Sequence, residues 1–579
     1  MKGSESCLFF CYEPFSQHQL RCNYNVHMLR PAHLLRYDRL ATVVGEHPLI
    51  LTTVVCLLWS LIGLVGHDPW KSEEAILTGM LAQAQNVPIW SEIVISEKFQ
   101  IAGPLFYVVS GGFIRLFENI LPLHDAARLS MFVWLTLTFI FVSCTAKELW
   151  GKTQQWVAPL LLAGCAGLLV KSHQLSTETL LLAGISILVY GLALAPRRSI
   201  AGGIFVGLAI SILCLGSAVH NLAYVLLCSV LLVIANTRYR TSRFLTSLGI
   251  ALIVAVSFIA LWVGVLYATD PGLPRMWSHN ASETALDAFS MPSISRIIYP
   301  ISILPWFTWP TWIFVIWSLW IEGREGIKRK ELQLPLALWV TSSLIICMQP
   351  IDSEAQLIPI LIPFALLGSI AASRTPRSGG NALYWFSIMS TVFFIVAAWV
   401  YFSASYFGYP ERLAEHLFRL QPGYAPGHRP LLIAAALLLT LFWFFLLFNI
   451  KRHPERSITM WTLNLTVCWA ISVLLLFHWI DGRKSYKTVF ESMAASINTQ
   501  YNCVIAQVGP AQRSLIHYHA SIETTDVYEE RDGKVCDYLI HQDQWDSQNT
   551  IGLPWLLIWE GGRSGDKSER YRLYRRELD

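Results

Sequence analysis

The chain has 579 residues, of which 54% are hydrophobic and 14% charged, with a formal net charge of +4. A soluble domain carries about 25% charged residues, so this composition excludes a water-facing globule of the same length. The Lys and Arg residues sit in short loops and form no patch suited to nucleic acid, which leaves a membrane-embedded chain as the class to develop.

The first 45 residues are polar and mixed, and lack the basic start, apolar core and cleavage site of a signal peptide, and the segment before the first span is taken as 1–48. They are expected to be a cytoplasmic segment, with Met28 an alternative start and the first span directing insertion. About thirteen apolar runs follow, each near the length a helix needs to cross roughly 30 Å of hydrocarbon. They lie at 49–66, 126–145, 155–171, 178–195, 200–216, 220–236, 246–267, 301–321, 334–349, 356–372, 382–402, 430–449 and 459–479. Alternate loops carry Lys147 and Lys152, Arg197 and Arg198, Arg238 to Arg243, Arg324 to Lys330, Arg374 and Arg377, and Lys451 to Arg456. Basic loops stay on the cytoplasmic side, so the N-terminus is expected inside. Residues 101–117 are apolar as well, but counting them as a span would turn every later basic loop outward. They are read as an interfacial helix within a long outer loop at 67–125. The expected architecture is thus an α-helical polytopic membrane protein over 49–484, followed by a small outer α/β domain at 485–579. That domain is expected to hold strands at Val504–Val508, Tyr538–His541 and Trp555–Trp559 and a helix at Gln512–Ala520.

Most of the 12 Cys lie singly in apolar runs, where Cys acts as a small hydrophobe, and none sits at zinc spacing. Cys503 and Cys536 are expected to pair if their domain faces an oxidising compartment. Span centres carry essentially no ionisable groups, whereas transporters tend to place such groups, or broken helices, at the midplane. The acids and histidines instead gather at the outer helix ends. They include His67, Asp68, Glu73, Glu74, Glu97, Lys98, His173, Glu178, His220, Asp270, His279, Asp352 and Glu354. The densest stretch, HDPWKSEEA from His67 to Ala75, suits a capped helix start or two carboxylates bordering one cavity. Lys98 suits either snorkelling toward headgroups or holding a phosphate.

The order of these motifs resembles the GT-C glycosyltransferases that use polyprenyl-phosphate sugars, above all the bacterial aminoarabinose transferases of lipid A, and more distantly the protein O-mannosyltransferases. The resemblance rests on Asp68 with Glu74 six residues on, on EKFQIAGP from Glu97 to Pro104, on Glu178 in STETL, and on LPWF from Leu304 to Phe307. Two family stretches depart from the pattern: GSAVH from Gly216 to His220 and IDSEAQLIP from Ile351 to Pro359 both lack the family's Lys.

The resemblance implies an inverting transfer from an undecaprenyl-phosphate-linked donor to an envelope glycolipid such as lipid A, or to a protein. It places the activity on the periplasmic face of a bacterial inner membrane. It implies Asp68, then Glu97, as general base or acceptor-positioning carboxylate. Lys98 would bind the donor phosphate, with Arg275 or His279 helping, and Glu74, Glu178 and His220 would line the substrate cavity. A divalent ion held by carboxylates with His67 or His220 is left open. A transporter of lipid or small solute and a non-catalytic scaffold are the rival classes.

Overall fold

The computed structural model describes residues 47–71, 73–84, 103–289, 291–350, 354–449, 455–498, 500–525, 535–544 and 551–577. Among these residues, eight helices are long and apolar enough to cross a membrane, or nine if a bent pair counts as one span. The long ones include Leu123–Trp150, Thr177–Leu194, Ser199–Gly216, Ser242–Thr269, Arg377–Phe407 and Pro430–Phe448. Shorter apolar helices at Pro48–Leu61, Val219–Ala235 and Gln333–Met348 fall on three more of the expected runs. Burial separates two kinds of helix. Thr177–Leu194 is buried over 89% of its apolar window and forms the bundle's core, whereas Pro430–Phe448 is buried over 11% and presents an apolar surface that suits lipid.

The expected spans are not all straight. The first helix ends at Leu61 rather than near 66, because Gly63 and Gly66 turn the chain at φ of +94° and +95°. The Trp469 indole packs on Gly63 and donates to the Ile62 carbonyl at 2.7 Å. The run at 155–171 splits into Lys152–Ala163 and Ala166–Lys171. The single helix expected at 301–321 is instead a pair, Ile294–Phe307 and Thr311–Gly326, bent by 98°. These two breaks meet, and the Ala166 N–H donates to the Trp309 carbonyl at 3.2 Å. A kinked helix must re-satisfy its freed backbone groups inside protein, and here one break satisfies the other.

The segment read as interfacial is the helix Pro104–Phe117. At 14 residues it is about 21 Å long, too short to cross upright. Its buried face packs on Leu123–Trp150, where Ser110 and Ser130 share a hydrogen bond of 3.0 Å.

The C-terminal unit holds a five-stranded sheet in the order β2-β1-β3-β5-β4. The strands are β1 Val504–Gln507, β2 Thr524–Thr525, β3 Tyr538–Asp543, β4 Trp555–Gly561 and β5 Arg570–Arg576. β1 runs parallel to β2 and β3, while β5 runs antiparallel to β3 and β4. The expected helix is present as Pro510–Ala520, and Cys503 and Cys536 form a disulfide. This sheet shares its apolar core with the membrane domain, since Ala75 packs in the same cluster as Tyr486, Phe490, Leu515 and Leu573.

Candidate active site

The loop after the first helix is organised by a residue that sequence reading passed over. Arg128, in the first turns of Leu123–Trp150, is fully buried. Its Nε donates to Glu74 Oε1 at 2.6 Å and its Nη1 to Asp125 Oδ1 at 2.8 Å. Nη1 and Nη2 also donate to the carbonyls of His67 and Asp68, at 2.6 and 3.1 Å. A buried guanidinium persists only when paired and fully hydrogen-bonded, and this one ties the HDPW turn to the bundle. Asp125 takes the Gly66 N–H on both oxygens, at 3.0 and 3.1 Å. Glu74 accepts from the Trp70 N–H and the Leu175 N–H, each at 3.1 Å. His67 stacks on Trp70 with centroids 4.6 Å apart, and burial, with Arg128 nearby, lowers its pKa to about 4.

Asp68 is half-buried at the seam between the membrane domain and the C-terminal unit. Its Oδ2 accepts from Ser485 Oγ at 2.6 Å, and its N–H donates to Asp481 Oδ1 at 2.9 Å. Asp481 also takes the Trp70 indole N–H at 3.0 Å. His519 of the C-terminal helix feels the Asp68 charge, which favours its protonated form, but burial outweighs this and lowers its pKa to about 4. His124 and Tyr518 share a hydrogen bond of 2.7 Å across the same seam, and Lys71 pairs with Glu569.

Beside this network lies a cavity of about 830 Å³. Its wall includes Glu73, Glu74, Lys171, Glu178, His220 and Tyr299. These residues come from helix ends and loops that the pattern of basic loops assigns to one side of the membrane, and the structure gathers them around a single hollow. Glu73 accepts from the Thr177 N–H at 2.8 Å, the Thr177 hydroxyl at 2.6 Å and the Ser176 hydroxyl at 3.3 Å, while burial raises its pKa. Glu178 Oε2 and His220 Nδ1 are buried with no hydrogen-bond partner among the described residues. Both residues stand on the cavity wall, where a polar ligand would supply the missing partners. Gly103, from the IAGP stretch, presses on the GSAVH stretch backbone to backbone. A Cβ there would lie 2.4 Å from the Leu215 carbonyl oxygen, and the Gly103 N–H donates to the Gly216 carbonyl at 3.3 Å.

Of the sequence-predicted residues, Glu74, Glu178 and His220 are brought together on the cavity wall. Asp68 is close by through the Arg128 network but is not a lining residue. Glu97 and Lys98 lie outside the described residues. Arg275 and His279 stand exposed on the helix Leu273–Asp287, away from the cavity lining, with His279 paired to Glu283 at 3.2 Å. Among the described residues no three His, Cys, Asp or Glu side chains are grouped to hold a metal ion. The sequence reading missed Asp125, Arg128, Lys171, Asp481 and Ser485. Asp125 and Arg128 carried a readable signal: opposite charges at i, i+3 in the first turns of a span. Asp481 and Ser485 carried none, since only the fold returns residue 481 to residue 68.

No protein-family model and no curated protein sequence matches the chain. Among solved structures, it is similar to ArnT from Cupriavidus metallidurans bound to undecaprenyl phosphate. The TM-score is 0.63 at 12% identity, covering 92% of this chain and 98% of that one. The apo state of the same protein gives 0.60 at 14% identity, covering 94% and 98%. The oligosaccharyltransferase of Archaeoglobus fulgidus is more distant, at a TM-score of 0.44 and 11% identity, over 86% of this chain and 70% of that one. The likeness shows that this chain shares the fold of ArnT along nearly all of its length.

Proposed function

We propose that the protein is an integral-membrane glycosyltransferase that moves a sugar from an undecaprenyl-phosphate-linked donor to an envelope acceptor, a glycolipid such as lipid A or a protein. The reading is carried by the cavity itself. It sits at the helix ends that the basic-loop pattern puts on the periplasmic side, in a fold whose ArnT counterpart was solved with undecaprenyl phosphate. A hollow at the membrane surface suits a donor whose tail stays in lipid while its headgroup enters water.

The reaction is a displacement at the anomeric carbon, with inversion. The acceptor oxygen forms the new bond as the bond to the carrier phosphate breaks, and the electron pair leaves with the phosphate. Rate comes from holding the acceptor in line and from stabilising charge on the departing phosphate. A hydroxyl acceptor must lose a proton, for which Asp68 is the first choice and Glu97 the second; a phosphate acceptor needs no base. Lys98 is assigned to the donor phosphate. Glu178 and His220, with their unpartnered polar atoms, are assigned to sugar hydroxyls. Glu74 is fully engaged by Arg128 and backbone N–H groups, so its role is to hold the cavity wall.

The bent pair Ile294–Phe307 and Thr311–Gly326 is the feature nearest to a transporter's broken helix. Its break is packed, with Phe307 fully buried and the Trp309 carbonyl already taken by Ala166. The test is purified protein in proteoliposomes with lipid-linked sugar and an envelope-lipid extract. Release of undecaprenyl phosphate with sugar transfer is the expected result; flux of lipid or solute with no transfer would replace this reading with transport.

A further inference from the structure

The two stretches in which this sequence lacks the family's Lys both reach the cavity. Ser217 to His220 and Glu354 to Pro359 contribute to its wall without a cation. The wall has nevertheless one Lys or Arg among its described residues, Lys171, against Glu73, Glu74, Glu178 and Glu354.

The position of Lys171 is fixed by contacts far from it in sequence. It ends the short helix Ala166–Lys171, which starts after the helix before it stops at Ala163. The Ala166 N–H is held by the Trp309 carbonyl at 3.2 Å. The bare face of Gly167 receives the Phe307 ring, and a Cβ there would lie 2.1 Å from a ring carbon. The LPWF motif therefore seats the helix that carries Lys171. Its Tyr299-bearing helix, Ile294–Phe307, lines the same cavity.

Two of the four carboxylates are held by other groups, although the Lys171 charge is felt at Glu73. Arg128 neutralises Glu74 at 2.6 Å. Glu73 is satisfied by Thr177 and Ser176, and burial favours its uncharged form. Lys171 makes no hydrogen bond or ion pair among the described residues. A lysine closing a helix often does no more than face the helix dipole, but that role does not require a place on a cavity wall. A compact, strongly hydrated point charge on a flexible stem is suited to a phosphate oxygen.

We propose that Lys171 receives the phosphate of the lipid-linked donor, taking the part that the missing lysines leave open. The assignment rests on the glycosyltransferase reading above, and the experiment separates the two. Full-length protein in nanodiscs is titrated with undecaprenyl phosphate, with undecaprenol and with inorganic phosphate, for wild type, Lys171→Met and Lys171→Arg. An unfolding midpoint for each variant confirms that it is folded.

Wild type is expected to bind the lipid phosphate more tightly than undecaprenol. Lys171→Met should weaken that binding roughly 10- to 100-fold, the range of one charge-assisted hydrogen bond. Lys171→Arg should stay within about 3-fold of wild type, and undecaprenol binding should not change. If Lys171→Met binds the lipid phosphate as wild type does, the assignment is overturned while the transferase reading stands. If wild type does not distinguish the lipid phosphate from undecaprenol, the donor reading itself fails. If inorganic phosphate binds as tightly as the lipid and depends equally on Lys171, the site is one for free phosphate and the donor assignment is overturned.

Discussion

Arg128 shows how much one side chain can decide in a chain with few charges. It is fully buried and joins Glu74, Asp125 and two backbone carbonyls of the HDPW turn. Removing one partner of such a group leaves the others charged and unpaired in low dielectric, which costs about 3–5 kcal/mol. Arg128→Met is therefore expected to lower the unfolding midpoint in detergent sharply, and Glu74→Gln to lower it less, because the amide oxygen still accepts from Leu175 and Arg128 keeps Asp125 and two carbonyls. Equal midpoints for Arg128→Met and wild type would contradict the network. The pairing of Arg128 with Asp125 at i, i+3 was legible in sequence. Its burial was not, because that follows only from the loop that folds over it. Lys171 hid in the same way, at the last position of another run.

At the scale of elements, apolar length was the readable quantity. A helix rises about 1.5 Å per residue, so a run long enough to cross lipid declares itself, and the expected runs fall on helices. Direction within a run does not declare itself. The 98° bend between Ile294–Phe307 and Thr311–Gly326 depends on where the Trp309 carbonyl finds a donor, and that donor is Ala166. β5 was missed because RYRLYRR alternates Arg with apolar residues, which reads as a charged tail until Tyr571 and Leu573 are seen buried against the membrane domain's neighbour. The contact between Glu73–Gln83 and Pro510–Ala520 is likewise invisible in sequence. It needs Gly79, where a Cβ would lie 2.5 Å from Ser514 Cβ and 2.9 Å from Ser514 Cα. Gly79→Ala is expected to destabilise by about 1–3 kcal/mol. Gly112→Ala, in the helix Pro104–Phe117 with open space around it, is expected to be neutral or to stabilise by up to about 1 kcal/mol. Thermal unfolding of the two variants side by side checks this, and the opposite order would show that the two helices do not pack as described.

At the scale of the whole molecule, the fold puts the C-terminal unit over the same loop that carries Asp68 and Glu74. The unit reaches that loop through Ser485 to Asp68, Tyr518 to His124 and Lys71 to Glu569. The site is thus walled on one side by helix ends and closed near Asp68 by a domain encoded more than 400 residues later, as the Asp68–Ser485 separation of 417 shows. The alternation of basic loops made the common side of these helix ends legible. What it could not convey was the distance between Asp68 and the cavity, because Asp68 turns toward Ser485 rather than lining the wall.

The most direct test is mass spectrometry of lipid A and envelope glycans from cells carrying wild-type protein, Asp68→Asn or no protein. The account predicts a sugar-sized mass present with wild type and absent from the other two. Identical spectra for all three, in lipid and in protein fractions alike, would contradict the transferase reading; full modification with Asp68→Asn would contradict the role given to Asp68.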